Sequence, residues 1–530
     1  VYTVIDVNGM KPYCLKENRA LPGDEIVKNK DLKREAEISL NLGFHPHLLT
    51  THSVFYFRNR LHLLTEYVSG TSLDLQLKEN PLDLKTALDY ALHICSAMLH
   101  AKKIFPDFIH GDIKPANCLI TDDNQLKLSD FGQSVINQAD EIKGKLPGGT
   151  YYYMSPEMFD SADSNRDFSD IYAFGVTVFE MLSGVRPFGG ATRKEIVEKH
   201  KHHLPPLNIL QENGVPQSVI KLISTCLEKT PSNRPKNFAE IEKELKKIYQ
   251  KELKQPAPKA EILKPSIERL IEQAVSFGVL GNYKQALTCI NKALRRDKFS
   301  AEALTNKALI LSHLNQDEKA LDCSLKSLSL KKDLFISLFV HAKILFKLEH
   351  LDTAFKHIEK ALKTEPNNVS ALNLKGEILQ QKRQIYSAVN CFEKSLVFDN
   401  SQTEASEKLA QIYFSELVLE KALKIAEKGL EKDSRNIGLL KISGDIHLLQ
   451  EQKLKAIEFY KKVLSFSPDE DETAELYIQT CYELFKSPNQ ETNAEFLEII
   501  TTASRLFYEA EDVELSANFI ETLIKFLSKS

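Results

Sequence analysis

Residues 110–120 read His110-Gly111-Asp112-Ile113-Lys114-Pro115-Ala116-Asn117-Cys118-Leu119-Ile120. The stretch places a carboxylate, an ammonium and a carboxamide within six residues, in the order Asp112, Lys114, Asn117. Those are the groups that phosphoryl transfer needs. A carboxylate takes the proton of the attacking hydroxyl, an ammonium offsets charge on the moving phosphate, and an amide oxygen holds a metal ion. Thirteen residues past Asn117 comes Asp130-Phe131-Gly132, a second acidic metal ligand. A solvated polar turn would not keep so many positions in step with Asp130.

Together these two segments resemble the catalytic loop of protein kinases followed by their Asp-Phe-Gly motif. The resemblance implies that Asp112 is the base and Lys114 the phosphate-facing cation. Asn117 and Asp130 become the magnesium ligands, and Leu119 the floor under the adenine of ATP. The Lys114-Pro115 pair suits serine/threonine kinases, and Thr150 in Gly148-Gly149-Thr150 supports that assignment. Two positions depart from the family pattern. Gly111 stands where an arginine normally receives a phosphorylated activation loop, so loop phosphorylation is not expected to be required. Ala116 replaces an acidic residue that often binds substrate arginine, which weakens that preference.

Upstream, residues 1–16 alternate like two strands joined at Asn8-Gly9. By resemblance, Lys16 grips the α- and β-phosphates, and Cys14 packs on adenine. The partner of Lys16 is a glutamate on the next helix, read over 30–43 and stopped by Gly43. Glu35 is preferred for its distance from His45-Pro46, with Glu37 as the rival. The family's Gly-rich loop would end in a valine at Val1, which is therefore assigned to nucleotide contact. Its glycines and first strand would lie before the sequence given. Leu61–Val68 reads as a buried strand running into the hinge between lobes. By the same resemblance, Thr65 would be the gatekeeper there, Glu66 and Val68 would meet the adenine edge through their main chain, and Ser72 would face the ribose. A long apolar helix over 84–103 then leads to the catalytic loop. Tyr153-Met154-Ser155-Pro156-Glu157 matches the end of the activation segment, with Glu157 expected to pair with Arg234. Asp170 opens a very apolar helix and is expected to cap it and bond the catalytic loop. A charged helix over 238–254 closes the domain.

The second half repeats every 34 residues. Alanine recurs at 286, 320, 354, 388, 422 and 456, and leucine at 294, 328, 362, 396, 430 and 464. Ala274, Ala308, Ala342, Gly376, Ala410 and Gly444 hold an earlier phase. Small residues let antiparallel helices approach closely. The pattern resembles the tetratricopeptide repeat, although the chain has no Trp. Such arrays stack into solenoids whose concave face binds partners. A clamp for peptide C-termini would use lysine and asparagine where Ile271 with Val275 and Thr305 with Leu309 stand, so that ligand class is not supported.

The fold expected is thus an α+β bilobal protein kinase fold, truncated at the start of its small lobe, followed by an all-α repeat solenoid. Residues 1–254 form the kinase domain, 255–265 a stiff proline-containing linker, 266–470 six repeats, and 471–530 a degenerate repeat with capping helices. At about 3.1 Å per residue the linker spans roughly 34 Å. Because solenoids derive stability from neighbouring repeats, 266–530 are expected to fold without the kinase. The function implied is ATP- and Mg2+-dependent phosphorylation of protein Ser/Thr hydroxyls, with the repeats docking a partner or substrate. The alternative is a catalytically silent kinase-fold scaffold. Small-molecule phosphotransfer shares such loops, but Ser155-Pro156-Glu157 and Thr150 argue for protein substrates. Composition agrees with an ordinary protein of more than one domain: 530 residues, 42% hydrophobic, 27% charged. A net charge of −4 gives no reason to invoke nucleic acid or an anionic membrane. Eight scattered cysteines read as free thiols in a reducing compartment, and no apolar run reaches the length of a membrane span. A cytoplasmic location is expected.

Overall fold

The computed structural model describes residues 2–6, 9–17, 25–57, 60–134, 150–159, 168–260, 264–401, 403–467 and 470–485. The chain divides into two compact units, Val1–Ile310 and Leu311–Ser530.

The first unit opens with β1 (Tyr2–Ile5) and β2 (Pro12–Glu17), an antiparallel pair with Tyr2 opposite Leu15. Asp6 closes the loop between them, accepting the Gly9 N–H at 3.2 Å and the Met10 N–H at 2.7 Å. Helix α1 (Glu25–Leu42) begins earlier than the sequence pattern suggested and stops at Gly43, whose φ of +66° suits a left-handed terminator. Strands β3 (Thr51–Phe57) and β4 (Arg60–Glu66) complete a four-stranded sheet in the order β1-β2-β4-β3. The sequence reading had no strand over 51–57. Val54 and Lys16 both lie opposite Leu63, so the three residues form one row across the sheet.

The larger, helical lobe follows. A short strand β5 (Thr71–Ser72) leads into α2 (Leu73–Gln76) and the long helix α3 (Leu84–Ile104). Asp83 caps α3, its side chain accepting the Thr86 N–H. Strands β6 (Cys118–Ile120) and β7 (Leu126–Leu128) join β5 in a small sheet that carries the catalytic loop. Then come α4 (Ser169–Ser183), α5 (Arg193–His202), α6 (Leu207–Glu212), α7 (Gln217–Cys226) and α8 (Phe238–Leu253). Helix α4 is buried along nearly its whole length. At Gly175 a Cβ would meet the Cβ of Cys226 at 2.8 Å, so glycine lets α4 and α7 touch. One core runs from Ile38 and Leu42 of α1 through α3 and α4 to Tyr249 of α8. Ala257 of the linker packs on that core, so the linker is not a bare spacer.

Helices α9 (Ile267–Val279) and α10 (Tyr283–Arg296) also belong to the first unit, whose end falls within α11 (Ala301–His313). The boundary between the two compact units thus lies further along the chain than residue 266. Helix α9 lies on β3 and on the end of α1.

The second unit continues the helix pairs: α12 (Asp317–Leu330), α13 (Phe335–Lys347), α14 (Leu351–Thr364), α15 (Val369–Gln381), α16 (Ile385–Phe398), α17 (Thr403–Ser415), α18 (Leu419–Lys432), α19 (Ile437–Leu449) and α20 (Lys453–Phe466). Within the first unit α9 and α10 form one helical hairpin, and within the second α13–α14, α15–α16, α17–α18 and α19–α20 form four more, all in register with the 34-residue period. A further helix, α21 (Asp471–Phe485), follows them, and residues 486–530 lie outside the described residues. The small-residue phase has a steric cause. A Cβ on Gly376 would meet the Phe392 ring at 2.7 Å, and one on Gly444 would meet the Tyr460 ring at 2.5 Å. Where the facing residue is smaller, as Ile358 is, the small position holds alanine, here Ala342. No helix among the described residues is long and apolar enough to cross a membrane. All eight cysteines are free.

Candidate active site

Four segments far apart in sequence converge on the cleft. Strand β2 supplies Lys16 and helix α1 supplies Glu35. Lys16 Nζ donates to both Glu35 oxygens, at 2.6 and 2.8 Å, and to Asp130 Oδ1 at 3.2 Å. Glu35, not Glu37, is thus the partner. Burial works against the Lys16 charge, but Glu35 and Asp130 outweigh it and hold its pKa above the ordinary lysine value. Burial pushes the Glu35 carboxyl up, with Lys16 opposing the rise. Burial would also raise Asp130, yet the Lys16 ammonium overcomes that and keeps it below the usual carboxylate range. Asp130 has a φ of +64°, a left-handed conformation rare outside glycine and common where a site demands it.

The catalytic loop is held from below by α4. Asp170 accepts the His110 N–H at 2.7 Å and the Gly111 N–H at 2.9 Å. It bonds the loop as expected but does not cap its helix: Phe168 is the N-cap residue, and no side chain caps there. Both Asp170 oxygens are committed to the loop instead. Gly111 has a φ of +77°, and a Cβ there would meet the Gln133 carbonyl oxygen at 2.9 Å. Any side chain at this position would be strained.

Asp112 sits 7% exposed at the centre of this loop. Its Oδ2 accepts the Lys114 ammonium at 2.6 Å and the Asn117 amide at 2.8 Å. Its Oδ1 is buried and accepts no hydrogen bond. An unsatisfied buried carboxylate oxygen is costly, and a substrate hydroxyl would satisfy it. Asn117 also donates to the Asp112 carbonyl at 2.9 Å, so its amide nitrogen is committed and its amide oxygen is the atom that could face a metal. Ser129 fixes Asn117 from the other side. Its N–H and hydroxyl reach the Asn117 carbonyl at 2.9 and 3.0 Å, and Ser129 directly precedes Asp130. The two metal-ligand candidates are therefore tied together through one main-chain contact.

Asn117 and Asp130 offer a carboxamide and a carboxylate oxygen, hard donors that suit a divalent cation such as magnesium. The Asp130 side chain is 47% exposed, so it can be reached. No cluster of three or more His, Cys, Asp or Glu suited to a metal occurs among the described residues. A cation here would complete its shell with water and phosphate oxygens, as magnesium ordinarily does.

The nucleotide side is built around β4 and β5. Thr65 is buried opposite Cys14 in the β2–β4 pairing, and burial keeps the Cys14 thiol above its ordinary pKa, neutral and able to pack on an apolar ring. Glu66 continues into the hinge at Val68. Its side chain accepts the Thr50 N–H at 2.7 Å and the Lys127 ammonium at 3.0 Å. Ser72 lies opposite Leu119 in the β5–β6 pairing, so the ribose and adenine-floor candidates are neighbours. Val1 lies outside the described residues, as do 135–149 and the Thr150 side chain. Further on, Glu157 and Arg234 form a bidentate pair at 2.6 and 2.8 Å, with no exposure of the Arg234 side chain.

Three contributors escaped the sequence reading. Lys127 orients Glu66, Ser129 anchors Asn117, and Arg34 donates to the Ser134 carbonyl at 3.1 Å. Ser129 was the findable one, since it abuts Asp130. The other two act across lobes and leave no local pattern.

Comparison with known proteins agrees with this geometry. Residues 1–249 match the family model of the protein kinase domain, and residues 271–323 that of the tetratricopeptide repeat. An Aurora kinase of Saccharomyces cerevisiae is 34% identical over 238 residues, which cover 42% of this chain and 62% of that protein. A probable serine/threonine-protein kinase of Clostridium acetobutylicum is 32% identical over 224 residues, covering 41% of this chain and 33% of its own. The serine/threonine-protein kinase PrkC of Bacillus subtilis is 30% identical over 224 residues, with the same coverage of 41% and 33%. The chain spans less than two thirds of each of these relatives.

Proposed function

We propose that this chain, a protein kinase domain followed by tetratricopeptide repeats, transfers the γ-phosphate of ATP to serine or threonine hydroxyls of proteins. The observation that carries the proposal is the Asp112 carboxylate. One oxygen is pinned by Lys114 and Asn117, and the other is buried without a partner. That second oxygen accepts the proton of the incoming hydroxyl. Lys114, beside it, offsets charge on the phosphoryl group in transit. Lys16, held by Glu35, grips the α- and β-phosphates, while Thr65, Glu66, Val68, Ser72 and Leu119 frame the nucleoside. Asn117 and Asp130 would hold magnesium, which when bound would offset charge on the phosphate oxygens. The repeats dock a protein partner or substrate near the reaction, raising its effective concentration. Serine/threonine specificity is supported by the Lys114-Pro115 pair and by the serine/threonine-protein kinases among the relatives above.

Asp112→Asn tests the assignment. The substitution keeps the shape but removes the base, so the transfer rate falls by roughly 10²–10⁴ while ATP binding is retained. An unchanged rate would show that Asp112 is not the base.

A further inference from the structure

The repeats begin with a helix that touches both supports of the Lys16–Glu35 pair. Strand β3 is an edge of the small-lobe sheet, and an edge strand presents main-chain N–H groups with no strand to receive them. Ser276 of α9 receives one of them: its Oγ accepts the Val54 N–H at 3.1 Å while donating its own proton to the Glu272 carbonyl at 2.9 Å. Ser276 is fully buried. Val54 is in the same cross-strand row as Leu63 and Lys16. The serine therefore fixes the outer end of the row that carries the lysine.

Gln273, on the same face of α9, acts on the glutamate's side. Its Nε2 donates at 2.6 Å to the carbonyl of Leu40, in the last turn of α1. The last carbonyls of a helix have no partner within it, so such a donor anchors the helix end. Glu35 is five residues back on that same helix. Arg269, one turn before Gln273, completes the contact. Its guanidinium donates to His52 Nε2 at 3.2 Å and lies 5.5 Å from the centre of the Phe44 ring. Positions 269, 273 and 276 share one helical face.

We propose that α9 is a working part of the small lobe, and that Gln273 and Ser276 are positioning residues for the Lys16–Glu35 pair. The proposal rests on the kinase reading above, because that pair must be in place for phosphoryl transfer. The helix acts as a brace: it holds β3 through Val54 and α1 through Leu40, and so fixes the distance between the strand row of Lys16 and the helix of Glu35. On this reading the repeats contribute to turnover of any substrate, not only of one that they bind.

The test uses the full chain with Gln273→Ala and Ser276→Ala combined. Transfer to a generic serine/threonine peptide falls about tenfold in kcat, the scale of two lost buried hydrogen bonds, with peptide KM little changed. Amide hydrogen exchange across residues 25–42 speeds up. Restoring only the hydroxyl, with Ser276→Thr in place of Ser276→Ala, recovers part of the rate. A Glu35→Gln background separates positioning from general damage: with the pair already broken, the same two substitutions cost no further activity. Equal fold losses in both backgrounds, or full activity in the double variant, would overturn the brace. If the unmodified protein transfers no phosphate, the kinase reading fails on its own. Exchange over 25–42 then still decides the brace, since protection unchanged by the two substitutions would refute it.

Discussion

The catalytic cleft and the helices from α12 to α20 bury their residues by opposite means. Around the cleft, buried polar groups are paired across long stretches of chain: Asp170 with the His110 N–H, 60 residues apart, and Arg234 with Glu157, 77 apart. In the repeats, buried partners are close in sequence and small. Ser324 meets His341 at 2.8 Å, 17 residues on, and Gly376 makes room for Phe392 within one hairpin. The difference teaches where each part is vulnerable. A cleft of charge pairs fails when one partner goes, because the other is left buried and charged. A periodic stack spreads its stability over many similar contacts and fails by degrees.

The sharpest way to break this comparison is to remove one charge from each region. Arg234→Ala removes a side chain with no exposure and takes from the largely buried Glu157 its bidentate partner. It is expected to lower stability by about 3–5 kcal/mol, read as a fall in the first unit's unfolding temperature. Lys326→Ala removes the Asp322 partner from an exposed pair on α12 and is expected to leave the unfolding temperature nearly unchanged. Similar losses from both would contradict the contrast.

Acid provides a second discrimination. Burial holds His45 and His93 near a pKa of about 3, His47 and His52 near about 4, and His200 near about 3, all in the first unit. In the second unit His341 is held down to about 4 by burial. These imidazoles are neutral when folded and titrate near 6.5 when unfolded. Their contribution is therefore complete above about pH 6.5 and is lost as pH falls toward 4, at up to about 2 kcal/mol each by pH 5. Lowering pH from 7 to 5 should destabilise the first unit more than the second, a difference that domain-resolved hydrogen exchange reads. Equal acid sensitivity would mean that the buried histidines do not set it.

The smallest effect sharpens the account of the repeats. Gly376→Ala forces a Cβ against the Phe392 ring and is expected to cost about 1–3 kcal/mol. Adding Phe392→Ile recreates the Ala342–Ile358 pair of the preceding repeat and should recover most of that loss. If the single change is harmless, the glycine is there for another reason.

How much of this was legible in the sequence depended on distance along the chain. Asp112, Lys114, Asn117 and Asp130 fall within twenty residues, so their spacing announced both the chemistry and the fold. The repeat phase was equally plain, because periodicity survives the loss of individual residues. Glu35 could be chosen over Glu37 only by resemblance, and the structure places it on Lys16. The role of α9 was hidden for a physical reason. Its partners are the Val54 N–H and the Leu40 carbonyl, main-chain groups that every sequence possesses. Strand β3 was missed for a related reason, since its pairing with β4 depends on partners outside the segment. Asp170 was legible as a structural carboxylate but not in its direction, because both the loop and its own helix offered N–H groups.

Phosphate transfer by the full-length protein is the most direct measurement. Incubated with mixed cell protein, Mg2+ and ATP labelled in its γ-phosphate, the protein should place label on serine and threonine side chains, and Asp112→Asn should abolish nearly all of it. Nucleotide binding with no transfer to protein would contradict the account and leave a kinase fold that serves as a scaffold.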